Sequence, residues 1–228
     1  MVLLLEGDCR ALAGHLNDAF WVSDPPYNQA YHYATYQDNL DVRVYQTLLS
    51  DVFRGRMAVV MHYPEELINL VAPALGPVRE VMAWVYPSNQ RKQHRLVGWW
   101  NCSPDWTQTP QPYRNPTDRR VMKLIAAGRT CRGYDWCEVN HVKNVSKVGH
   151  PCPIPLAVAE RMVLATTQPG DTIVDPFCGA GTVLLAAALH GRNAVGCDID
   201  PQYLAVAKKR LDAAAIPCKI EKLERKHP

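Results

Sequence analysis

Apolar positions along this chain fall into two regular stretches separated by a long break in pattern. Residues 2–5 form a short unbroken apolar run, as a buried strand would, and residues 19–23 form a second that stops at Asp24-Pro25-Pro26. From 38 to 53 the spacing of Leu40, Val44, Leu48 and Val52 predicts a helix that ends near Gly55. Residues 57–61 read as a third strand, and 65–75 as a helix stopped by Gly76-Pro77. Residues 78–85 read as a fourth strand. From Pro87 to Lys147 the periodicity is lost. Prolines at 87, 104, 110, 112 and 116 alternate with Trp99, Trp100, Trp106 and Tyr113, which predicts an irregular insert without assignable elements.

Regular alternation resumes after Pro155. Residues 156–167 read as a helix, 168–171 as a turn and 172–175 as a β-branched strand. An Ala/Leu-rich helix follows Gly181 and is closed by Gly191, and 193–197 is the next strand. Asp200 and Pro201 then supply an N-cap and a first-turn proline for a helix running to about 213. Strands alternating with helices on both sides of an insert predict a single α/β domain over 1–228. Its sheet should be mostly parallel, with helices on both faces and a small irregular insert at 87–147.

Composition narrows the class. The 228 residues are 47% hydrophobic and 21% charged, which fits a globular protein and argues against global disorder. No apolar run approaches the roughly 18 residues of a membrane span, and the opening Met1–Leu5 run meets Glu6 too soon for a signal peptide. Eight cysteines without a Cys-x-x-Cys pair, and His15, His94 and His141 outside any ligand spacing, point to reduced thiols in the cytoplasm and no metal site. The net charge of +3 says little, but its distribution says more. Between Arg79 and Lys147 roughly 12 Lys and Arg face 5 Asp and Glu, a basic segment of the kind that follows phosphates.

Two loops carry the candidate chemistry. Asp175-Pro176-Phe177-Cys178-Gly179-Ala180-Gly181-Thr182 lies between a strand and a helix, where glycines allow a tight turn and the helix start offers free N–H groups. A third glycine is missing, since Leu184 stands in its place, so this is a poor dinucleotide fingerprint. Asp198 ends the next strand and can accept hydrogen bonds from ribose hydroxyls, which points to a nucleoside cofactor; Asp200 is better placed as a helix cap. The second loop is Ser23-Asp24-Pro25-Pro26-Tyr27-Asn28. Its prolines hold carbonyls in fixed directions, so the Asp24 carboxylate and the Pro25 carbonyl can each take one hydrogen of a planar base amine. Tyr27 offers a flat face on which an extruded base can stack.

On these residues the chain resembles the DNA amino-methyltransferases, whose signatures are (Asp/Asn/Ser)-Pro-Pro-(Tyr/Phe/Trp) and Phe-x-Gly-x-Gly. Gly7-Asp8 before the first motif, and His150-Pro151 with the 170–177 run before the second, extend the likeness. The order of motifs is similar to the permuted β-type of that family, with the target-recognition region between them. The resemblance implies a Rossmann-like fold that binds S-adenosylmethionine, with double-stranded DNA as partner. Asp24, Pro25, Pro26 and Tyr27 would be catalytic. Asp24, His150, Pro151, Asp175, Phe177, Gly179, Gly181, Thr182 and Asp198 would line the cofactor. The implied reaction is in-line displacement: the base amine attacks the sulfonium methyl, without a catalytic cysteine, so Cys178 is expected to pack rather than react. Asp24 in place of serine favours adenine N6 over cytosine N4. A catalytically silent nucleic-acid-binding module is the rival from another class, and a homodimer is left open. Within the insert Arg91, Lys92, Arg95, Arg114, Arg119 and Arg120 are candidates for phosphate contact, and Trp99, Trp100 and Trp106 for wedging into a duplex.

Overall fold

The computed structural model describes all residues except 13–15, 34, 90, 144–148, 150–151 and 224–228. Among the described residues, nine strands form one twisted sheet. They are β1 (Val2–Glu6), β2 (Phe20–Ser23), β3 (Met57–His62), β4 (Glu80–Val85), β5 (His94–Trp100), β6 (Trp136–Glu138), β7 (Thr172–Asp175), β8 (Asn193–Asp198) and β9 (Cys218–Lys222). Their spatial order is β6-β4-β5-β3-β2-β7-β8-β1-β9. Only β5 runs against its neighbours, pairing antiparallel with both β3 and β4.

Helices cover both faces, because strands buried on two sides need two apolar layers. Helix α1 (Val42–Phe53) packs Tyr45, Leu49, Val52 and Phe53 onto one face. It is joined there by α2 (residues 64–75), which passes through a wide π turn at Leu67–Val71 before Pro73. The other face is covered by α4 (Leu156–Thr166), α5 (Thr182–Leu189) and α6 (Pro201–Ala213), through Val158, Met162, Val183, Leu184, Leu204 and Leu211. A further helix, α3 (Arg119–Ala126), buries no residue and stands apart in the middle segment. No described helix is long and apolar enough to cross a membrane.

The first helix is shorter than its spacing predicts. Asp41 caps it by accepting from the Arg43 N–H, and Asp38 is recruited elsewhere. The Asp38 carboxylate is buried and accepts from the backbone N–H groups of Asn28, Gln29 and Tyr31, holding the loop that follows Tyr27. Of the predicted stripe, Val44 is exposed and borders a cavity, while Leu40 and Leu48 line the same cavity and pack partly against the core. Helix capping at Asp200 is as expected, with the side chain accepting from Gln202 N at 2.8 Å.

The middle segment departs from the expectation of an irregular insert. Residues 94–100 are a full strand inside the sheet and Trp136–Glu138 pair at its edge, so the part that projects lies chiefly between Trp100 and Trp136. Trp99 and Trp100 are buried on opposite faces of β5 and are not available to a duplex. Glycine at 98 makes this possible: a Cβ there would meet the Trp100 ring at 2.6 Å. Strand β9 is also unpredicted, since its Cys-Lys-Ile-Glu-Lys sequence lies on an exposed edge with no buried face to mark it.

Candidate active site

Strands β2 and β7 are neighbours, and from them the chain leaves in opposite directions, to β3 on one side and β8 on the other. Such a divergence opens a crevice at the carboxyl ends of the strands. A cavity of about 670 Å³ lies there, in the size range of ligand pockets. Its wall includes Asp24, Pro25, Pro26 and Tyr27 after β2, Asp175, Phe177 and Gly179 after β7, Asp198 at the end of β8, and Thr182 at the start of α5. The two motifs, about 150 residues apart in sequence, therefore share one chamber. Gly7 and Asp8, after β1, complete the rim.

Gly181 stands one step behind the wall. It adopts a left-handed conformation (φ 70°) as the N-cap of α5, and a Cβ there would meet that of Ala207 at 2.9 Å. Its glycine character serves the turn and the approach of α6. Gly179 is also left-handed (φ 47°), and its N–H donates to Asp198 Oδ2 at 2.9 Å. The other oxygen of Asp198 accepts from Asp200 N at 2.9 Å, so the carboxylate is locked across the loop. Cys178 is buried, and burial pushes its thiol well above the usual range, which suits packing. His150 and Pro151 lie outside the described residues.

The carboxylates are the electrostatic core. Asp175 is buried; it accepts from Ser23 Oγ at 2.6 Å and from Phe177 N at 3.2 Å. Burial raises its pKa to about 7, and the hydrogen bonds only partly oppose this. Burial likewise raises Asp24 to about 6, against the Tyr27 hydrogen bond and the Arg95 charge, and raises Asp198. Three carboxylates around one cavity suit a ligand with cationic groups. A strand-end acid beside a glycine turn suits a ribose. These residues thus fit S-adenosylmethionine, whose sulfonium and ammonium groups would meet acids and whose ribose would meet Asp198.

On the opposite wall Tyr27 donates its hydroxyl to Asp24 Oδ1 at 2.5 Å. Its ring stacks on His62, with centroids 4.4 Å apart, and meets Tyr63 edge-on at 5.0 Å. His62 is neutral, because burial and the nearby Arg95 and Lys92 lower its pKa to about 3. Its Nδ1 accepts from Tyr63 N, which leaves Nε2–H to donate to the Tyr45 hydroxyl, 3.1 Å away. Tyr45 in turn donates to the Pro26 carbonyl at 2.7 Å. This buried chain fixes the Pro-Pro turn from behind.

Sequence reasoning named neither Tyr45 nor His62. Nothing in the local pattern marks either, and only the meeting of α1 with β3 joins them to Pro26. Ser23 was legible as the residue before the motif, but its bond to Asp175 crosses between strands. Arg95, by sequence a candidate for phosphate contact in an irregular insert, is instead buried in β5 and faces the cavity.

The chain is similar to known DNA methyltransferases. A family model described as DNA methylase matches residues 19–209. The Type II methyltransferase M.HpaI of Haemophilus parainfluenzae is 29% identical over 212 residues, covering 84% of this chain and 67% of that protein. Two further Type II methyltransferases match over only 24% of their length, so the chain spans a minor part of those relatives. Among solved structures, a complex titled M1.HpyAVI-SAM superposes with a TM-score of 0.65 at 19% identity, covering 93% of this chain and all of that one. The cytosine-N4-specific PvuII DNA methyltransferase gives 0.62 at 18%, covering 91% and 85%; both share the fold. With a family model matched over most of its length and both motif loops meeting in one cavity, the chain belongs to the N6/N4 DNA methylases.

Proposed function

We propose that this protein transfers a methyl group from S-adenosylmethionine to N6 of an adenine extruded from double-stranded DNA. The observation that carries the reading is the meeting of Asp24-Pro25-Pro26-Tyr27 with the Asp175–Thr182 turn and Asp198 in one chamber. The cofactor supplies an electrophilic methyl group when bound. Asp198 would hold the ribose, while Asp175 and the turn would line the rest of the cofactor.

The chain's own residues act on the amine. An exocyclic amine is a weak nucleophile because its lone pair is delocalised into the ring. Asp24 accepts one of its hydrogens, and the Pro25 carbonyl the other, so the nitrogen turns its lone pair toward the donor. The Asp24 carboxylate also stabilises the positive charge that develops on nitrogen. Tyr27 stacks against the base on the ring face away from His62, while the buried His62–Tyr45–Pro26 chain keeps the turn rigid.

Asp24, where cytosine-N4 members of this family often carry serine, supports adenine. The part of the middle segment that projects from the sheet would read the target. Its α3 helix presents Arg119, Arg120 and Lys123 without burying any of its own residues. Tritiated methyl transfer to unmethylated duplex DNA, followed by nucleoside chromatography, tests the reading. Label in N6-methyladenine is expected. Label in N4-methylcytosine would keep the mechanism and replace the base, and cofactor binding with no label on any DNA would leave a silent binding module.

A further inference from the structure

Two cations approach the ring of Tyr63, and they are treated very differently. Lys92 lies 4.3 Å from its centroid and is paired with Glu65 at 3.2 Å and Glu66 at 3.4 Å, near the surface. Arg95 lies 3.9 Å from the same centroid and is only 6% exposed, yet no carboxylate among the described residues comes within ion-pair distance. Its surroundings are aromatic: Tyr86 at 5.0 Å, Tyr27 at 5.3 Å and Trp84 at 5.9 Å. One guanidinium nitrogen donates to the Tyr86 hydroxyl.

A guanidinium cannot shed its charge and carries five N–H donors in a plane. Aromatic faces compensate the charge in part but accept from none of those N–H edges. A buried cation so placed is costly unless an acceptor reaches it. Sheet topology says where that acceptor would be. Strand β5 is antiparallel to β3, so its first residues lie at the carboxyl edge of the sheet, with Leu96 opposite His62. Arg95 therefore lines the cavity on the Tyr27 side.

We propose that Arg95 is a specificity residue that donates a hydrogen bond to the ring nitrogen beside the reactive amine of the extruded base, N1 of adenine or N3 of cytosine. The inference rests on the methyltransferase reading but not on which base is modified. Asp24 accepts from the amine, and Arg95 donates to its ring neighbour. The pair thus reads a donor next to an acceptor, the edge shared by adenine and cytosine. Guanine and thymine present a carbonyl and a ring N–H there, which would set acceptor against Asp24 and donor against Arg95. A backbone phosphate suits the position less well, because the phosphodiester must stay connected to the duplex outside while Arg95 is buried beside Tyr27. Donation to the ring withdraws electron density from the amine, so the contact selects and orients rather than accelerates.

The test uses duplexes in which the modified base, once mapped, is replaced by its deaza analogue: 1-deazaadenine, or 3-deazacytosine if cytosine is the target. Each is compared with the natural duplex for the unaltered enzyme, Arg95→Met and Arg95→Lys. The unaltered enzyme should lose roughly tenfold or more in kcat/KM on the analogue. Arg95→Met should lose a similar factor on natural DNA and nothing further on the analogue; Arg95→Lys should keep part of the sensitivity. A purely structural Arg95 would lower both substrates alike, and equal analogue sensitivity in enzyme and variant would overturn the proposal. So would an unaltered enzyme indifferent to the analogue, a result that needs no variant to fold. An enzyme that methylates no natural DNA would sink the parent reading instead, and this one with it.

Discussion

On the β7/β8 side of the cavity, the chain runs from Asp175 to Thr182 in one turn, and the remaining acid, Asp198, comes from the adjacent strand. Backbone N–H groups, two glycines in left-handed conformation and two acids do the work there. On the β2/β3/β5 side the wall presents Asp24–Tyr27 after β2 and Arg95 from β5, backed by His62 from β3 and Tyr45 from α1. That side is aromatic, hydrogen-bonded through side chains, and holds a buried cation. On the proposed reading, one side holds a nucleoside by its backbone and the other orients a planar base by side chains. If that reading holds, binding and selection are built separately in this chamber and should fail separately.

The sharpest separation is expected from Asp24→Ala. Methyl transfer should fall by at least about a thousandfold while cofactor affinity, measured calorimetrically, stays within a few-fold. Loss of both together would mean that the two sides are not independent. The reciprocal change, Asp198→Asn, should weaken cofactor binding by roughly ten- to a hundredfold, as expected for losing a charged hydrogen-bond acceptor. Saturating cofactor should then restore much of the rate.

Smaller effects probe how the cofactor side is held. Gly181→Ala places a Cβ against Ala207 in a left-handed position, and should destabilise the fold by about 1–3 kcal/mol in denaturant titrations. Cofactor affinity should fall only modestly, because Gly181 is not part of the cavity wall. Asp175→Asn should act in the other direction. The native pKa of Asp175, about 7, lies above the ordinary value of 3.8. Between those pH values the folded state keeps a proton that the unfolded state has released, so stability falls as pH rises toward 7. An amide can still accept from Ser23 and Phe177. The ligand-free variant should therefore be more stable at pH 8, by on the order of 1 kcal/mol, with the gain vanishing toward pH 4. An unchanged melting temperature at pH 8 would mean that Asp175 carries no buried-charge penalty.

Much of the cofactor side was legible in sequence because its parts are local. A strand, a glycine turn and a helix start occupy consecutive residues, and the acid ending the next strand lies within one βαβ unit. The Asp-Pro-Pro-Tyr turn was legible for the same reason. The target side was not. In β5, His94 and Arg95 open the strand and Gly98 interrupts it. Because Trp99 and Trp100 bury on opposite faces, no alternation marks it. Prolines nearby then made the whole stretch read as loop. The apolar spacing that predicts α1 likewise does not reveal that Val44 and Leu48 border the cavity.

What the sequence determined by itself is therefore what neighbouring residues can specify: the alternation of strands and helices, the two chemical loops, their order along the chain and the acid that follows the second. Tertiary structure decided which of these meet. The divergence of the chain at β2 and β7 brought the two loops into one cavity. Antiparallel pairing of β5 with β3 carried Arg95 to the same edge, and packing of α1 on the sheet placed Tyr45 between His62 and Pro26. Side-chain contacts between distant segments depend on strand order and register, and these are set by the burial of whole faces, which no local window of sequence contains.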